Sequence, residues 1–376
     1  MNGALDPVIA KSRVVVTCGT GGVGKTSCAA ALGLVAARRG RKVVVLTIDP
    51  AKRLADAIGL GDAVANEPVR VQCDAPGELW VAMLDVQATF DSLVVSTSSN
   101  EEQAQRVLSN PFYRGLSQSL SGTRDYMAAE RLHSLANDGR FDLVIVDTPP
   151  TRNALDFLEA PHRMAEFFGG RLLRWLTAPY RLGGGRGARL VNLASRPFYQ
   201  VADRILGSQF LEDIAEFFLN FQSMYDGFVE RARAVERLLH DRRTSFVVVT
   251  TLEASPLAEA EVFCRELVER GFPFGALVLN KTLPAAFTDP AAGRVATTLL
   301  DEAATLAAEL AAAGQPALAD AAIDARVLRT VAESFRNFAV VAARESELRH
   351  ELARLPDTVV DVPNLDRKST RLNSSH

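Results

Sequence analysis

Residues Gly19-Thr20-Gly21-Gly22-Val23-Gly24-Lys25-Thr26 follow an apolar run ending at Cys18 and precede an Ala-rich stretch. This spacing, G-x-x-x-x-G-K-[ST] between a strand and a helix, constrains the chain more than any other feature it carries. Glycines let backbone N–H groups turn toward phosphates with no side chain in the way, and the helix N-terminus behind them adds partial positive charge. Lys25 is placed to reach the β- and γ-phosphates, and the Thr26 hydroxyl to ligate Mg2+. Gly21, Gly22, Val23, Gly24, Lys25, Thr26 and Ser27 are therefore the candidate phosphate-binding residues.

Six short runs rich in β-branched residues read as buried parallel strands: Arg13 to Cys18, Lys42 to Ile48, Glu78 to Leu84, Phe141 to Asp147, Ser245 to Thr251 and Phe274 to Asn280. Helical patterns separate them, so the expected fold is α/β, a doubly wound and mostly parallel P-loop NTPase sheet. C-terminal strand ends surround the ligand crevice in such sheets. Two carboxylates stand there. Asp49, in Asp49-Pro50-Ala51, is placed to orient an attacking water or take its proton; its other reading is a turn-forming Asp before Pro. Asp49 and Lys25 are the candidate catalytic residues. Asp147 closes the run from Phe141 in the Walker-B manner and joins Thr26 as a candidate metal ligand. Asp142 begins the same strand at the far end of the sheet and reads as merely solvated.

Spacing between strands is uneven. Residues 85–139 and 156–243 show helical period and no strand, and read as two helical insertions forming a helical subdomain. The nucleotide core then takes residues 10–84, 140–155 and 244–365, in one domain spanning 10–365. Leu182 to Gly187 reads as a mobile loop. The second insertion carries an apolar stripe at Phe210, Ile214, Phe217, Phe218, Phe221, Met224, Tyr225 and Phe228. It reads either as helix-on-helix core or as a groove for an apolar helix. Asp366 to His376 turns abruptly polar and basic and resembles a translated sequencing-adapter oligonucleotide, so it is read as a non-native tail.

A hydrophobic fraction of 48% in 376 residues suffices for a large core. Lys+Arg 42 against Asp+Glu 45, a net charge of −3, gives no nucleic-acid footprint. Four scattered cysteines without C-x-x-C spacing, and no secretory leader, point to reduced thiols in the cytoplasm, with no three-thiol metalloid site and no zinc.

The strand from Phe274 runs into Asn280-Lys281-Thr282-Leu283. An N-K-x-D loop would offer an Asp to guanine; here Leu283 stands in that place. Asn280 can pair with adenine N6 and N7, or serve only as a helix cap, and the expected ligand is ATP with Mg2+.

Taken together these motifs resemble the deviant-Walker P-loop ATPases, and most of all the arsenite-pump and tail-anchored-protein-targeting ATPases. Asp49-Pro50-Ala51 is similar to that family's switch I, and Asp147-Thr148-Pro149-Pro150-Thr151 to its switch II. The resemblance implies an ATP-hydrolysing homodimer or heterodimer that closes on ATP and couples nucleotide state to a protein client, an apolar helix or a membrane partner. It also implies two alternatives: a poorly hydrolysing subunit paired with a paralogous ATPase, or the peripheral motor of an anion pump. Thr20 stands where the family's loop carries a lysine that crosses the dimer, so turnover is expected to be weak, with Lys52 or Arg53 as replacement cations. Arg152-Asn153 replace the Gly-His of switch II.

The base assignment is open to test. Leu283 gives guanine N1 and N2 no acceptor, and each unpaired buried donor costs roughly 1–3 kcal/mol. GTP is expected to compete for bound ATP at least about tenfold more weakly; equal displacement at equal concentration overturns the assignment.

Overall fold

The computed structural model describes residues 4–48, 66–111, 113, 123–149, 159–160, 162–163, 217, 224–312, 320–352 and 358–364. Its strands are β1 (Val14–Cys18), β2 (Lys42–Thr47), β3 (Val69–Val71), β4 (Glu78–Met83), β5 (Leu143–Asp147), β6 (Thr244–Thr250), β7 (Phe274–Thr282) and β8 (Val359–Pro363). They form one sheet in the order β3-β4-β2-β5-β1-β6-β7-β8. The β3–β4 pairing is antiparallel and the rest are parallel. All six expected strands are present, with ends shifted by one or two residues. β3 and β8, one at each edge, were not anticipated.

The central strands are buried on both faces, which is why their sequences are nearly unbroken Val, Ile and Leu. Alternate residues feed two cores. Val14, Val16, Val44, Leu46, Val144, Val146 and Val248 pack with helices α5 (Thr123–Asn137), α6 (Tyr225–His240) and α7 (Ala254–Glu269). Val15, Val43, Val45, Ile145 and Val247 face α1 (Asp6–Lys11) and α2 (Lys25–Arg38). Beyond the sheet, α8 (Pro290–Asp301) and α9 (Ala303–Ala312) pack on the long α10 (Ala321–Leu352), which leads into β8.

Asp142 is not merely solvated. Its Oδ2 accepts from the Lys42 backbone N–H at 2.8 Å, and Arg41 donates to its carbonyl at 2.5 Å. The residue just before a strand can tie down its neighbour's first N–H in this way, so the carboxylate joins the starts of β5 and β2.

A third apolar cluster lies outside the sheet. It is built from α3 (Val86–Thr97), α4 (Glu101–Ser109), α5 and α6, through Phe90, Leu93, Val107, Tyr126, Met127 and Phe228. Asp85 and Asn100 cap α3 and α4 through their side chains. Phe217, Met224 and Phe228 of the expected stripe are buried here, so at these positions the stripe is helix-on-helix core. Phe210, Ile214, Phe218, Phe221, the Leu182 to Gly187 loop and the Asp366 to His376 tail lie outside the described residues.

One ion pair joins α5 to α6 inside this layer. Arg231 Nε donates to Glu130 Oε1 at 2.7 Å, and Glu130 is 3% exposed. Burial pushes the Glu130 carboxyl up to about 7, with Arg231 offsetting only part of it. Tyr126 and His133 share the surroundings. Burial, then Arg231, Arg13 and Arg237, hold His133 down near 4. A folded pKa raised from 4.5 means the folded state keeps a proton that the unfolded chain releases. Stability from this group is therefore complete below about 4.5 and is lost as pH rises through about 7, by an amount on the order of 3 kcal/mol. Glu130→Gln removes that dependence while His133 titrates in both proteins. Urea midpoints across pH 5 to 8 should show wild type losing ground to the variant as pH rises; parallel profiles contradict this.

Candidate nucleotide site

Register places the first group of site residues. β5 lies between β1 and β2, with Asp147 opposite Thr17 on one side and Thr47 on the other. All three are buried, Asp147 to 1% exposure. Thr17 Oγ1 donates to the Val146 carbonyl at 3.0 Å and Thr148 Oγ1 to the Thr17 carbonyl at 2.7 Å. Thr47 Oγ1 approaches Asp147 Oδ2 at 3.4 Å, a long contact. The result is a rigid floor of hydroxyls around one carboxylate.

The glycine loop rises from the end of β1. Gly22 and Gly24 have φ of 81° and 95°, left-handed conformations that a side chain would strain. A Cβ on Gly24 would stand 2.2 Å from the Asn280 amide nitrogen, so besides the backbone strain a side chain here would displace that amide. At Gly22 a Cβ would meet nothing within 4 Å, so the loop's turn is open on that side. Lys25 opens α2, is buried, and donates from Nζ to the Thr20 carbonyl at 2.8 Å, curled over the loop. Thr26 is half-buried on the same first turn, and Ser27 is exposed.

Asp147 faces that turn. Burial and then the Asp147 carboxylate push the Cys28 thiol up to about 11, which places the charge beside the start of α2. β1 runs from Thr17, opposite Asp147, into the glycine loop and the first turn of α2, so two elements bring Lys25, Thr26 and Asp147 to one edge of the sheet. Hydroxyl and carboxylate oxygens are the donors a hard cation such as Mg2+ takes, and the open glycine turn with its lysine suits polyphosphate. The residues present fit Mg·ATP.

Asn280 also makes a contact that the sequence did not suggest. Its Nδ2 donates to the Val23 carbonyl at 2.7 Å, and Lys281 Nζ donates to the Gly22 carbonyl at 3.0 Å. Both side chains of the β7 end hold the phosphate loop. A side-chain amide carries a second N–H and an acceptor oxygen, so this bond leaves Asn280 capacity for a base. Lys281 adopts φ 59°, the one non-glycine residue with positive φ among the described residues. At the guanine-reading position, the Leu283 backbone N–H is taken by Glu345 of α10 at 3.0 Å.

Thr20 lies inward. It is 9% exposed and its hydroxyl oxygen is buried, with no hydrogen-bond partner among the described residues. Asp49, Lys52, Arg53, Arg152 and Asn153 lie outside the described residues. Ile48, the residue before Asp49, donates its N–H to the Asp147 carbonyl and receives Arg124 of α5 on its own carbonyl at 2.7 Å. Sequence reasoning gave no role to Arg124, because a helix-surface arginine bound to a main-chain oxygen leaves no mark in a motif. The Lys281 contact had a signal in the Asn280-Lys281 pair and was passed over.

Burial pushes the Cys18 and Cys264 thiols up to about 12, so they behave as inert core residues. Among the described residues no helix is long and apolar enough to cross a membrane.

Comparison with known proteins agrees with this geometry. A family profile described as "Anion-transporting ATPase" matches residues 12–298, well over half the chain. Among curated proteins, the chain is 26% identical to "ATPase ASNA1 homolog" of Entamoeba dispar, over 71% of this chain and 75% of that one. It is 26% identical to "ATPase GET3" of Malassezia globosa, over 73% and 74%. It is 24% identical to "Putative arsenical pump-driving ATPase 2" of Aquifex aeolicus, over 72% and 81%.

A loop-holding role for Asn280 separates from a base-reading one. Tripolyphosphate carries no base, so Asn280→Ala should weaken tripolyphosphate and ATP by similar factors, about 5- to 20-fold for one lost hydrogen bond and its unpaired carbonyl. Calorimetric titration showing loss for ATP alone would assign Asn280 to the base.

Proposed function

Because the chain belongs to the anion-transporting ATPase family, we propose that it is a Mg2+-dependent ATPase working as a dimeric switch. In this reading its nucleotide state sets the hold of a helical layer on a protein client or membrane partner. The observation that carries the reading is the convergence of Lys25, Thr26 and Asp147 on an open glycine turn. Lys25 would neutralise charge on the β- and γ-phosphates, Thr26 and Asp147 would hold the metal, and the loop N–H groups would bind phosphate oxygens. A metal there supplies charge neutralisation and in-line orientation when bound. Asp49, one residue beyond the anchored Ile48, would orient the attacking water. The division into a nucleotide core with insertions at 85–139 and 156–243 belongs to the same reading. The third apolar cluster supports it, since a layer with its own core can move as a unit.

A second reading has support from Thr20. Its side chain is buried in its own protomer and uncharged, so it supplies no cation to a partner's phosphates. In that case the chain binds ATP and hydrolyses it slowly until a paralogous subunit donates the missing charge. Adding such a subunit should raise turnover per site, and a Lys25→Ala copy of this chain in the mixture should not support that rise.

The main reading is tested by turnover and titration together. Asp49→Asn keeps the shape of the side chain but accepts no proton, so turnover should fall about 10²- to 10⁴-fold with ATP affinity within a few-fold of wild type. Lys25→Ala should lose at least about tenfold in affinity. Wild-type affinity in Lys25→Ala would remove the phosphate-loop assignment. Equal loss of affinity and turnover in Asp49→Asn would put Asp49 on the metal instead.

A further inference from the structure

Helices α3 and α6 meet closely at one point, where a Cβ on Gly227 would press on Thr97 at 3.2 Å. Beside this contact lies an open cleft of about 690 Å³. Ser96 and Thr97 line it from α3, and Arg231, Arg233 and Arg237 line it from α6 together with Glu230. Gly227 and Ala234, seven residues apart on one face of α6, complete the wall. Both are small, so the floor between the longer side chains stays clear. Sites for small organic molecules run from roughly 300 to 1,000 Å³, and this cleft falls among them.

The wall is cationic in a chain whose net charge is −3. Arg231 is fixed in place, since its Nε donates to the buried Glu130 at 2.7 Å. A guanidinium carries five N–H groups, so its two Nη atoms still have donors to offer. Arg233 and Arg237 are exposed, and neither has an ion pair or hydrogen bond among the described residues. Glu230 is the one carboxylate among the described lining residues and pairs with none of the three. Positive charge is felt behind the wall as well: after burial, it is Arg231, Arg13 and Arg237 that hold His133 of α5 down near 4. The arginines are not needed as caps for α3. Ser96 and Thr97 donate to the Leu93 carbonyl at 3.0 and 2.7 Å, and Ser98 to the Val94 carbonyl at 2.7 Å, so the last turn of that helix serves itself.

We propose that the cleft between α3 and α6 is a second binding site, for a small organic dianion whose two oxyanion groups, phosphoryl or carboxylate, engage Arg233 and Arg237 on one side and the Nη groups of Arg231 on the other. Arg233 and Arg237 are separated by one turn, about 6 Å along the axis, which suits two anionic groups on one carbon skeleton better than a lone ion. The planar fork of arginine matches both kinds of oxyanion in two-point contacts. Glu230 accepts from a hydroxyl of the skeleton. Desolvated arginine–oxyanion contacts inside a concavity hold more strongly than the same pair on a convex surface, where water competes for every donor. None of these residues belongs to the glycine loop, so the site stands apart from the ATPase reading.

The test is calorimetric titration of the full chain with inorganic phosphate, fructose 1,6-bisphosphate, glutarate and a tetra-aspartate peptide as probes. At least one of the two dianions should bind about tenfold or more tightly than inorganic phosphate, and the tighter one tells phosphoryl from carboxylate. Replacing the two exposed arginines together, Arg233→Ala with Arg237→Ala, should weaken that dianion by about tenfold or more while the urea midpoint stays put. Ala234→Leu fills the floor, keeps every charge, and should weaken it too. Lys25→Ala should leave the affinity within about twofold, because distant sites act independently. Loss in Lys25→Ala with full binding in the double arginine variant would assign the dianion to the glycine loop and overturn the proposal. So would dianions that bind no more tightly than inorganic phosphate. Binding of the peptide alone would also overturn it, and would make the arginines a face for an acidic protein segment.

Discussion

Parallel pairing of β5 between β1 and β2 is the constraint on which the candidate site depends. It puts Thr17, Asp147 and Thr47 in one row at the C-terminal edge of the sheet. A slip of one residue on β5 would turn Asp147 to the other face and put Val146 or Thr148 in its place. Register is hard to slip here because both faces of the strand are buried, so every residue of Leu143–Asp147 has a core to fill. The carboxylate is then held in place by hydrophobic packing below it. The Thr47 hydroxyl approaches it at 3.4 Å from the neighbouring strand.

The glycine loop needs a different kind of support, because its left-handed residues give it freedom as well as access. That support comes from β7. Asn280 and Lys281 donate to the carbonyls of Val23 and Gly22, the two residues around which the loop turns. The same strand end is fixed to α10 through Leu283 and Glu345. The end of β7 and the glycine loop are therefore one hydrogen-bonded assembly, and a change at Asn280 reaches the loop directly. The close approach at Gly24 follows from this: the amide can reach Val23 only where the neighbouring residue has no Cβ.

Much of this was legible in the sequence. Parallel strands buried on both faces leave unbroken β-branched runs, so six strands followed from pattern alone, as did a glycine loop between β1 and α2. The edge strands did not. Val69–Val71 is three residues long with an arginine at its centre, and Val359–Pro363 ends in a proline, which only an edge strand tolerates. Asp142 was misjudged for a related reason: its partner is the backbone N–H of Lys42, distant in sequence and invisible to composition. Arg124 escaped notice in the same way. Contacts from side chain to main chain carry no complementary residue, so a sequence can reveal one half of them at most.

How a nucleotide's presence would reach the helical layer can be argued from where packing is continuous. Loops transmit displacement poorly, since their backbone torsions absorb it. A helix buried along two sides does not, because close-packed interiors admit few intermediate arrangements. Of the described helices, α5 and α6 each contribute residues to both the sheet core and the outer cluster, and α5 gives the larger share to the sheet core. It meets α6 through a buried ion pair, Glu130 with Arg231, whose geometry tolerates little sliding. It meets the end of β2 through Arg124. A shift of the Ile48 carbonyl would therefore have to be taken up either by breaking a charge-assisted hydrogen bond or by moving α5 as a body. Moving α5 disturbs Phe90, Phe228 and their neighbours, where empty space is costly. Under the proposed nucleotide-driven hold on a client, two discrete arrangements of α5 would cost less than a continuous deformation of this packing.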